Sequence, residues 1–454
     1  MRYHLYLIGF LFFFFNIPET VALKNTLGFL VLCSSVFAFY RQKNLIIDNF
    51  LFEYSRNIFF ILILLSLYIF IHLIFFAWEP IWSLSDYKSH WFYPVIYFFS
   101  GAVIVFYFSK IDNFGKKLIS FIFIFLTIHI AYAVVQFLID SFNSGVLQFR
   151  VGGHIGAELT SYIANIVQAF LLGELIYRSK KKENYMFFDS KILIFIFLLT
   201  TLAIFFTAVR FSTLIYLFLL LLSVFIFLFL NKVSNFKNNL YIFSLTLSLI
   251  SLILYGSFSH DKRWSSLIET ISIATDTKNN KAWLDKDLYS LPKLSNGEDV
   301  SRSNYERIAW AYQGLKYIYA NPMGIGYGRN IFGHAIEHEY RYLLGDEAKK
   351  VRGKHSHSGI IDFTIGVGLL GAILWFVFIF LLLKFLFLNL KRDISAPSII
   401  GILITTSFLA RSFVDSFMRD HMFQQFMLLM GILVALSIFE KKGETNYAPS
   451  DSFK

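Results

Sequence analysis

"ILIFIFLLTTLAIFFTAVRFSTLIYLFLLLLSVFIFLFL", residues 192–230, is almost entirely apolar and carries a single charge, Arg210. Because a helix crosses the roughly 30 Å core of a bilayer with about 20 residues, this stretch predicts two membrane spans joined by a tight turn. An arginine at the centre of a membrane helix costs about 2.5–3.5 kcal/mol, and less near its edge. We interpret Arg210 as a functional contact for an anion; the alternative is a turn residue that reaches the headgroups.

The rest of the chain has the same character. Its 454 residues are 56% hydrophobic, 19% aromatic and only 16% charged. A soluble fold of this length could not bury so much apolar surface, and the apolar runs do not alternate as the strands of a membrane barrel would. The single cysteine, Cys33, lies in an apolar run and excludes both a disulfide framework and a cysteine-rich metal site. The predicted fold class is therefore an all-α polytopic membrane protein.

The apolar runs predict about twelve transmembrane helices. Their approximate positions are 5–17, 22–40, 58–77, 91–108, 118–139, 159–177, 192–209, 211–230, 240–256, 360–388, 398–414 and 421–439. Lys and Arg are unevenly shared between the two sides, with nineteen in one set of connecting segments and six in the other short segments. The positive-inside rule then predicts that both termini are cytoplasmic.

This orientation divides the chain into four parts. Residues 1–256 hold transmembrane helices one to nine, 257–358 form one large periplasmic loop domain, 359–439 hold helices ten to twelve, and 440–454 form a cytoplasmic tail. The expected location is the bacterial inner membrane. The net charge of +11 is explained by basic cytoplasmic loops, so we expect no nucleic-acid partner.

The loop contains two predicted helices. A short amphipathic helix is expected at 265–275, followed by an irregular, surface-exposed stretch at 276–300. A stronger helix begins at a capping box of Ser303 and Glu306 and ends at 321–322. We expect this second helix to lie against the membrane domain or along its surface, through an apolar stripe of Ile308, Ala311, Tyr312, Leu315, Ile318 and Tyr319.

Arg307 is expected in the first turn of that helix. A positive charge there opposes the helix dipole by about 0.3–1 kcal/mol, and a bound phosphate would reverse the sign. The alternatives are an ion pair with Glu306 or Glu339, or replacement of this role by Arg302. The following "NPMGIGYGRN" has three glycines, which either make turns or admit a ligand close to the backbone.

Two further polar groups are predicted on the same face. In "VRGKHSHSG", His357 lies where Ser358 or Gly359 begins the tenth helix, so its imidazole can accept a proton at the mouth of the membrane domain. An ordinary interfacial histidine and a metal site are the alternatives. The outer turn between the last two spans clusters Arg411, Asp415 and Arg419, for which surface ion pairing is the alternative.

These residues resemble the O-antigen ligase family, which is related to O-antigen polymerases and O-linked oligosaccharyltransferases. The family motif is a histidine, then Asn, Ser or Gln, nine residues, a glycine, two residues, and Gly, Thr or Tyr. Here His357 and Ser358 are followed by "GIIDFTIGV", Gly368 and Gly371. Arg210 and Arg307 are similar to family arginines, and Asp415 is similar to an acidic residue of the last outer loop. The similarity covers roughly 200–420.

The resemblance implies a GT-C-like glycosyltransferase. It implies transfer of O-antigen from undecaprenyl diphosphate to the outer core sugar of lipid A-core, with membrane lipids as further partners and no cofactor or metal. Our hypothesis is that Arg210 and Arg307 hold the diphosphate while His357 takes the acceptor proton in an inverting displacement. Auxiliary roles are expected for Arg411, Asp415, Arg419 and Ser358, and a weaker one, in binding acceptor phosphates, for Lys349, Lys350, Arg352 and Lys354.

Three other functions remain open from the sequence. Two belong to the same class: an O-antigen polymerase and an O-linked protein oligosaccharyltransferase. A transporter of lipid-linked sugars belongs to another class, but transporters usually place their polar residues near the bilayer midplane and often have repeated halves. In this chain the polar candidates gather at one face, and no repeat is evident.

Overall fold

The computed structural model describes residues 2–52, 55–230, 266–285 and 288–445. Within these ranges the regular elements are helices, and one isolated bridge joins Lys293 and Asp299. Nine of the described helices are long and apolar enough to cross a membrane, and two shorter apolar helices accompany them. The chain is therefore a polytopic all-α membrane protein, as predicted.

The helices of the first half are numbered in chain order. They are α1 (Arg2–Phe14), α2 (Val21–Arg41), α3 (Lys43–Phe50), α4 (Ser55–Phe75), α5 (Pro80–Asp86), α6 (Tyr93–Phe108), α7 (Phe114–Ser144), α8 (Ala157–Lys181), α9 (Ser190–Thr207) and α10 (Arg210–Leu230). A π-helical turn, Tyr87–Phe92, joins α5 to α6. The ninth predicted span, 240–256, lies outside the described residues.

The helices of the second half fall into the loop and the last spans. They are α11 (Leu267–Thr275), α12 (Arg302–Ala320), α13 (Ile331–Leu344), α14 (Ala348–Val351), α15 (Gly359–Arg392), α16 (Ala396–Ser412) and α17 (Asp420–Thr445). The other eleven predicted spans each coincide with a described helix. The end of the predicted tail, 446–454, is also outside the described residues. We call the end of the bundle that carries α11–α14 the loop end.

The last helix is held tightly in the bundle by glycines. A Cβ on Gly101 of α6 would lie 2.7 Å from the carbonyl oxygen of Leu428, and a Cβ on Gly431 would collide with the backbone of Phe98. Small residues let membrane helices approach closely, which strengthens their van der Waals packing. This contact fixes α17, and with it the turn between α16 and α17, relative to the rest of the bundle.

The tenth predicted span is not one continuous helix. Gly368 interrupts α15 with a φ of 73°, so residues 359–367 form a short entry helix before the membrane-crossing part. The "NPMGIGYG" segment pairs with this break: Ile325 N–H donates to Ile365 O (3.0 Å), and Leu369 N–H donates to Pro322 O (2.9 Å). A break at membrane depth is tolerated because protein groups satisfy the freed backbone.

Glycine is required where residues 322–328 pack against residues 365–369, a junction that we call the glycine seam. A Cβ on Gly368 would collide with the backbone of Met323, and the positive φ there is one that L-residues rarely adopt. From the other side, the Tyr68 hydroxyl of α4 donates to the carbonyl of Val367 (2.8 Å). Gly324 and Gly368, one from each sequence motif, therefore allow the loop to pack closely against the broken helix.

Two predictions about the strongest loop helix were wrong. The helix begins at Arg302 with Ser301 as its N-cap, so Ser303 is not a cap and Arg307 lies in the second turn. Glu306 does not complete a capping box, because its carboxylate pairs with Arg302 at 2.8 Å. This pair also removes Arg302 as a substitute for Arg307. The short helix before it and the end of α12 after Ala320 are confirmed.

The predicted apolar stripe of α12 is also wrong. Leu315 and Tyr319 are 56% and 91% exposed, and the buried face carries Asn304, Tyr305, Ala309, Trp310, Gln313, Gly314 and Tyr317. Because polar Gln313 and small Gly314 lie on the buried face, the hydrophobic periodicity of the sequence does not identify that face. Gly314 packs against Ile361 of α15, so the expectation that the helix lies against the membrane domain is confirmed.

The irregular stretch before α12 is only partly exposed. Trp283 and Leu284 are fully buried, which corrects the prediction of a surface segment. The indole of Trp310 donates to the carbonyl of Trp283 (2.8 Å), and the indole of Trp283 donates to Thr277 O (3.2 Å). Aromatic side chains with satisfied N–H groups thus give the loop a core of its own.

Candidate functional site

Arg210 lies at a tight turn that faces the loop. Helix α9 ends at Thr207, Ala208 adopts a left-handed conformation (φ 49°), and Arg210 begins α10. The Arg210 guanidinium donates from Nη1 to Oδ1 of Asn304 on α12 (3.0 Å). The predicted two-span hairpin is therefore confirmed, and its arginine links the membrane bundle to the loop.

A cavity of about 250 Å³ opens beside this contact, and we call it the arginine cavity. It lies between the α9–α10 turn, the start of α8 and the start of α12. Its lining residues are Arg150, Glu158, Ala208, Val209, Arg210, Phe211, Leu214, Leu267, Ser303, Asn304, Arg307 and Ile308. The two arginines predicted to bind diphosphate thus line one space.

The charged groups of the arginine cavity are three arginines and one glutamate. Arg150 is fixed in a left-handed conformation (φ 64°), and its N–H donates to Phe206 O (2.8 Å). The guanidinium carbon of Arg307 lies 5.7 Å from the centre of the Phe211 ring. Guanidinium groups form strong, geometrically defined hydrogen bonds with phosphate oxygens. The cavity is therefore suited to an anion.

His357 does not line this cavity, but it contacts the same helix, α12, and has a strained backbone conformation. Its ring stacks on Trp310, one turn after Arg307, with the ring centres 5.2 Å apart and the planes 5° from parallel. Its φ is 56°, a left-handed value, and its backbone N–H donates to Nδ1 of His355 (3.2 Å). Non-glycine residues in such conformations often occur at functional sites. His355, which had no predicted role, thus supports the backbone of His357.

The His357 imidazole is neutral at ordinary pH. Burial and, to a smaller extent, the positive charges of Arg307 and Arg419 together lower its pKa to about 4. Among the described residues, none forms a hydrogen bond with its buried Nδ1. A neutral imidazole has a free lone pair and can accept a proton. The low pKa makes it a weak base until an anion offsets the neighbouring arginines.

A polar network holds the histidine pair against the entry helix. The Ser416 hydroxyl lies 2.9 Å from Oδ2 of Asp362 and 3.1 Å from Nδ1 of His355. The other carboxylate oxygen of Asp362 accepts the Ser356 N–H (3.0 Å). This network connects the α16–α17 turn to the histidines, and it explains why Asp362 is buried in the first turn of α15.

The auxiliary residues take different places. Arg411 is only 1% exposed and donates to Glu158 O (3.3 Å) and Ser161 Oγ (3.2 Å), so it is not a surface ion pair. Arg411 lies 3.9 Å from Asp415, whose pKa is raised by burial although Arg411 opposes the shift.

The other two auxiliary residues connect neighbouring elements. Arg419 donates to Asn330 Oδ1 (3.1 Å), which joins the α16–α17 turn to the start of α13. Ser358 is the N-cap of α15, accepting from Ile361 N–H (3.3 Å). Its observed contacts are those of a structural capping residue, and a role in the reaction stays a prediction.

The basic run before the histidines has protein partners. Arg352 pairs with Glu79 and Glu337, and Lys354 donates to the carbonyl of Leu284. Lys350 pairs with Glu347. These contacts occupy most of the charges that the sequence assigned to acceptor phosphates.

Several site residues could not be identified from the sequence. Arg150 and Glu158 are far from Arg210 along the chain and carry no motif. Asn304 and Trp310 lie on a helix face that was predicted to point the other way. A signal existed only for Arg150, because an arginine in a short outer segment departs from the positive-inside pattern.

Fold and site together define a multi-pass helical membrane protein with an anion-suited cavity at its loop end. A family model described as O-antigen ligase matches residues 195–376, which run from α9 into α15 and include Arg210, Arg307 and His357. Over this stretch the chain is similar to the O-antigen ligase family, which agrees with the resemblance identified from the sequence. No curated protein matches the chain. The similarity supports an enzyme of the ligase or polymerase type.

Proposed function

We propose that the protein is an O-antigen ligase that transfers polysaccharide from undecaprenyl diphosphate to the outer core sugar of lipid A-core. The observation that carries this proposal is that Arg210 and Arg307 line one cavity, while the neutral His357 stacks on Trp310, one turn after Arg307 on the same helix. A diphosphate in the cavity would lie next to a proton acceptor. This is the arrangement that displacement of a diphosphate leaving group by a hydroxyl requires.

The reaction follows from these groups. His357 removes the proton of the acceptor hydroxyl as its oxygen attacks the anomeric carbon of the donor glycan. The bond between that carbon and the diphosphate oxygen breaks, the configuration inverts, and undecaprenyl diphosphate leaves. The arginines stabilise the charge that develops on the leaving oxygen. No metal or cofactor is needed in this scheme.

In this proposal, binding of the donor also makes the His357 imidazole a stronger base. Because the positive charges of Arg307 and Arg419 contribute to the low pKa of His357, a bound diphosphate that offsets them raises that pKa. The imidazole then becomes a stronger base only in the complex. Proton removal is therefore linked to the presence of donor, which limits the reactivity of the empty site.

The proposed location is the bacterial inner membrane, with the loop end on the periplasmic face and both termini in the cytoplasm. The excess of Lys and Arg in the opposite connecting segments supports this orientation. Lipid-linked donor and lipid A-core acceptor would both approach the loop end from the outer leaflet. Residues 257–358 are proposed as the periplasmic domain.

Reconstitution tests the proposed function. Purified protein in lipid nanodiscs is mixed with undecaprenyl-diphosphate-linked glycan and lipid A-core, with EDTA present, and the attached product is measured on a gel. We expect transfer that persists with chelator and fails in His357→Ala. Glycan joined to another donor molecule in place of lipid A-core would instead identify an O-antigen polymerase, and transfer to a protein would identify an oligosaccharyltransferase. Movement of donor across the bilayer without transfer would identify a transporter.

A further inference from the structure

A second cavity of about 300 Å³ lies at the loop end, and we call it the tryptophan cavity. It is formed between the α4–α5 connection, the glycine seam and α13. Its lining residues are Trp78, Glu79, Trp82, Ile325, Ile331, His334, Glu337, His338 and Arg341. None of these residues was predicted as a site residue, and the proposed reaction does not use them.

The aromatic walls of this cavity are rigidly supported. The Trp82 indole stacks on His334 with ring centres 3.5 Å apart, and the Trp78 ring centre lies 4.4 Å from that of His338. A Cβ on Gly328 would collide with Trp82, so the glycine seam leaves room for this ring. Trp78 is 44% exposed, and its backbone N–H donates to Ile325 O (2.9 Å). Flat apolar surface is therefore presented at fixed positions.

The two carboxylates that line the tryptophan cavity are paired with Arg341, which also lines it, and with Arg352, which lies outside the lining. Glu337 is only 5% exposed and accepts from Arg341 (3.0 Å), and Arg352 lies 3.4 Å from its other oxygen. Glu79 also pairs with Arg352, and it lies 3.4 Å from Nδ1 of His334. Burial and the charge of Arg352 lower the pKa of His334, which keeps this imidazole neutral. Two carboxylates facing two guanidinium groups favour neither an anion nor a cation.

We propose that the tryptophan cavity binds a saccharide, an inference that rests on the proposed function. Sugar rings have apolar C–H faces that pack on tryptophan, and their hydroxyls bond to carboxylate and guanidinium groups at the rim. A cavity with apolar walls, few polar groups and no net charge matches this chemistry. The saccharide comes either from the acceptor core or from the donor glycan.

Contacts connect this cavity to the proposed reaction site. Gly328 lies against Trp82 and also lines a small cavity with Asp362, Ser416 and Arg419. The Ser416 hydroxyl contacts His355, which supports His357. A saccharide on Trp82 would therefore lie along a path of contacts that ends at the proton acceptor.

Binding without turnover tests the proposal. Full-length protein in nanodiscs is titrated calorimetrically with two lipid-free probes, core oligosaccharide and O-polysaccharide, each released by mild acid from the lipopolysaccharide of the host. We expect wild-type protein to bind at least one probe, and Trp82→Leu and Trp78→Leu to bind it about 5- to 10-fold more weakly. Tyr319→Leu, an exposed aromatic on α12 outside the cavity, is the matched control and binds normally.

The probes also identify the source of the sugar. Binding of core oligosaccharide assigns the cavity to the acceptor. The released O-polysaccharide still carries the core, so the cavity is assigned to the donor glycan if this probe binds and core oligosaccharide alone does not. Glu337→Gln supplies a second test if Trp82→Leu fails to fold, because it keeps the shape while removing a hydroxyl partner, and it too is expected to weaken binding.

Two results would overturn the proposal. One is that neither probe binds the wild-type protein. The other is that the tryptophan variants bind saccharide as well as Tyr319→Leu does. If these variants also melt at a lower temperature in nanodiscs, the tryptophans act as interfacial anchors of the protein. Failure of the proposed function is separate: a protein that binds saccharide through Trp82 and yet transfers none in the reconstituted assay contradicts the ligase proposal alone.

Discussion

The arginine cavity and the tryptophan cavity lie at the same end of one bundle and differ in charge. The lining of the first has three guanidinium groups and one carboxylate. The lining of the second has two carboxylates, one guanidinium group and two indole rings, and Arg352 outside the lining pairs with both carboxylates. Helix α12 runs between them, because Asn304 in its first turn lines the first cavity and the segment after its end at Ala320 carries Ile325 of the second. Its 19 residues correspond to about 28 Å.

This difference indicates a division of roles. A net positive cavity stabilises charge that develops on a leaving diphosphate, but it offers little to distinguish one sugar from another. A neutral aromatic cavity recognises shape and hydroxyls, but it cannot stabilise the leaving group. We therefore assign reaction to the first cavity and saccharide recognition to the second. His357 lies beside the first and is connected to the second through His355.

The largest effect is expected from removing the proton acceptor. His357→Ala should lower kcat by about 10²- to 10⁴-fold in the reconstituted transfer assay, the range typical for loss of a general base. Saccharide binding in the tryptophan cavity should not change. His355→Ala, which removes the support of the His357 backbone and the contact with Ser416 but not the proton acceptor itself, should lower kcat less. Transfer at the normal rate by well-folded His357→Ala would contradict the proposal that His357 is the proton acceptor.

The next effect concerns the charge of the arginine cavity. Arg307→Gln should weaken binding of undecaprenyl diphosphate about 10- to 100-fold, because hydrogen bonds to charged groups contribute about 1.5–3 kcal/mol. Arg302→Gln is the matched control, since Arg302 lies on the same helix but pairs with Glu306 outside the cavity. Equal weakening in both variants would indicate a general effect of positive charge on α12.

The seam between the cavities gives a stability prediction. Gly368→Ala should lower the free energy of unfolding by at least about 2 kcal/mol, because the positive φ and the collision with Met323 both oppose a side chain. A thermal melt in detergent measures this. Gly353→Ala is the control, since nothing lies within 4 Å of a Cβ there. A normal melting temperature for Gly368→Ala would contradict the requirement for glycine at this break in α15.

Ligand binding in the two cavities is also expected to differ in its dependence on ionic strength, and this effect is smaller. Raising ionic strength should weaken diphosphate binding severalfold and leave binding of a neutral saccharide nearly unchanged, since salt screens charge but not aromatic packing. The two titrations in the same buffers measure this directly. Saccharide binding that falls in parallel with diphosphate binding would show that the tryptophan cavity acts through charge.

The smallest expected effect is a shift in pH dependence. With a pKa of about 4, His357 is deprotonated above that pH, so kcat/KM should show no acid limb from this group between pH 5 and 8. Arg419→Gln removes a charge that lowers the pKa, so the limb should move to higher pH; Arg302→Gln should leave it in place. A wild-type limb near pH 6.5 would contradict the buried, arginine-flanked histidine.

The sequence predicted the bundle well because apolar run length is a local property. The hairpin at Arg210, the large loop and the position of His357 at the start of α15 could all be identified from it. The break at Gly368 could not, because it depends on backbone pairing with a segment about forty residues earlier. The buried face of α12 was missed for a related reason: Gln313 and Gly314 pack against distant partners that only the fold supplies.

The site was predicted in part for the same physical reason. Arg210, Arg307 and His357 each have a local anomaly, such as a charge in an apolar run or a histidine at a helix start. Glu158 and the tryptophan cavity have none, and Arg150 has only its place in a short outer segment, since these groups are assembled from segments far apart in the chain. The charge balance in a cavity depends on which residues the fold brings together, so it could not be predicted from the sequence alone.

The most direct test is a pair of titrations on three proteins. Undecaprenyl diphosphate and the lipid-free saccharide probes are titrated into wild-type protein, Arg307→Gln and Trp82→Leu in nanodiscs. The division of roles predicts that Arg307→Gln loses diphosphate affinity and keeps saccharide affinity, while Trp82→Leu does the reverse. Loss of both affinities in either folded variant, or diphosphate binding that is unchanged in Arg307→Gln, would contradict it.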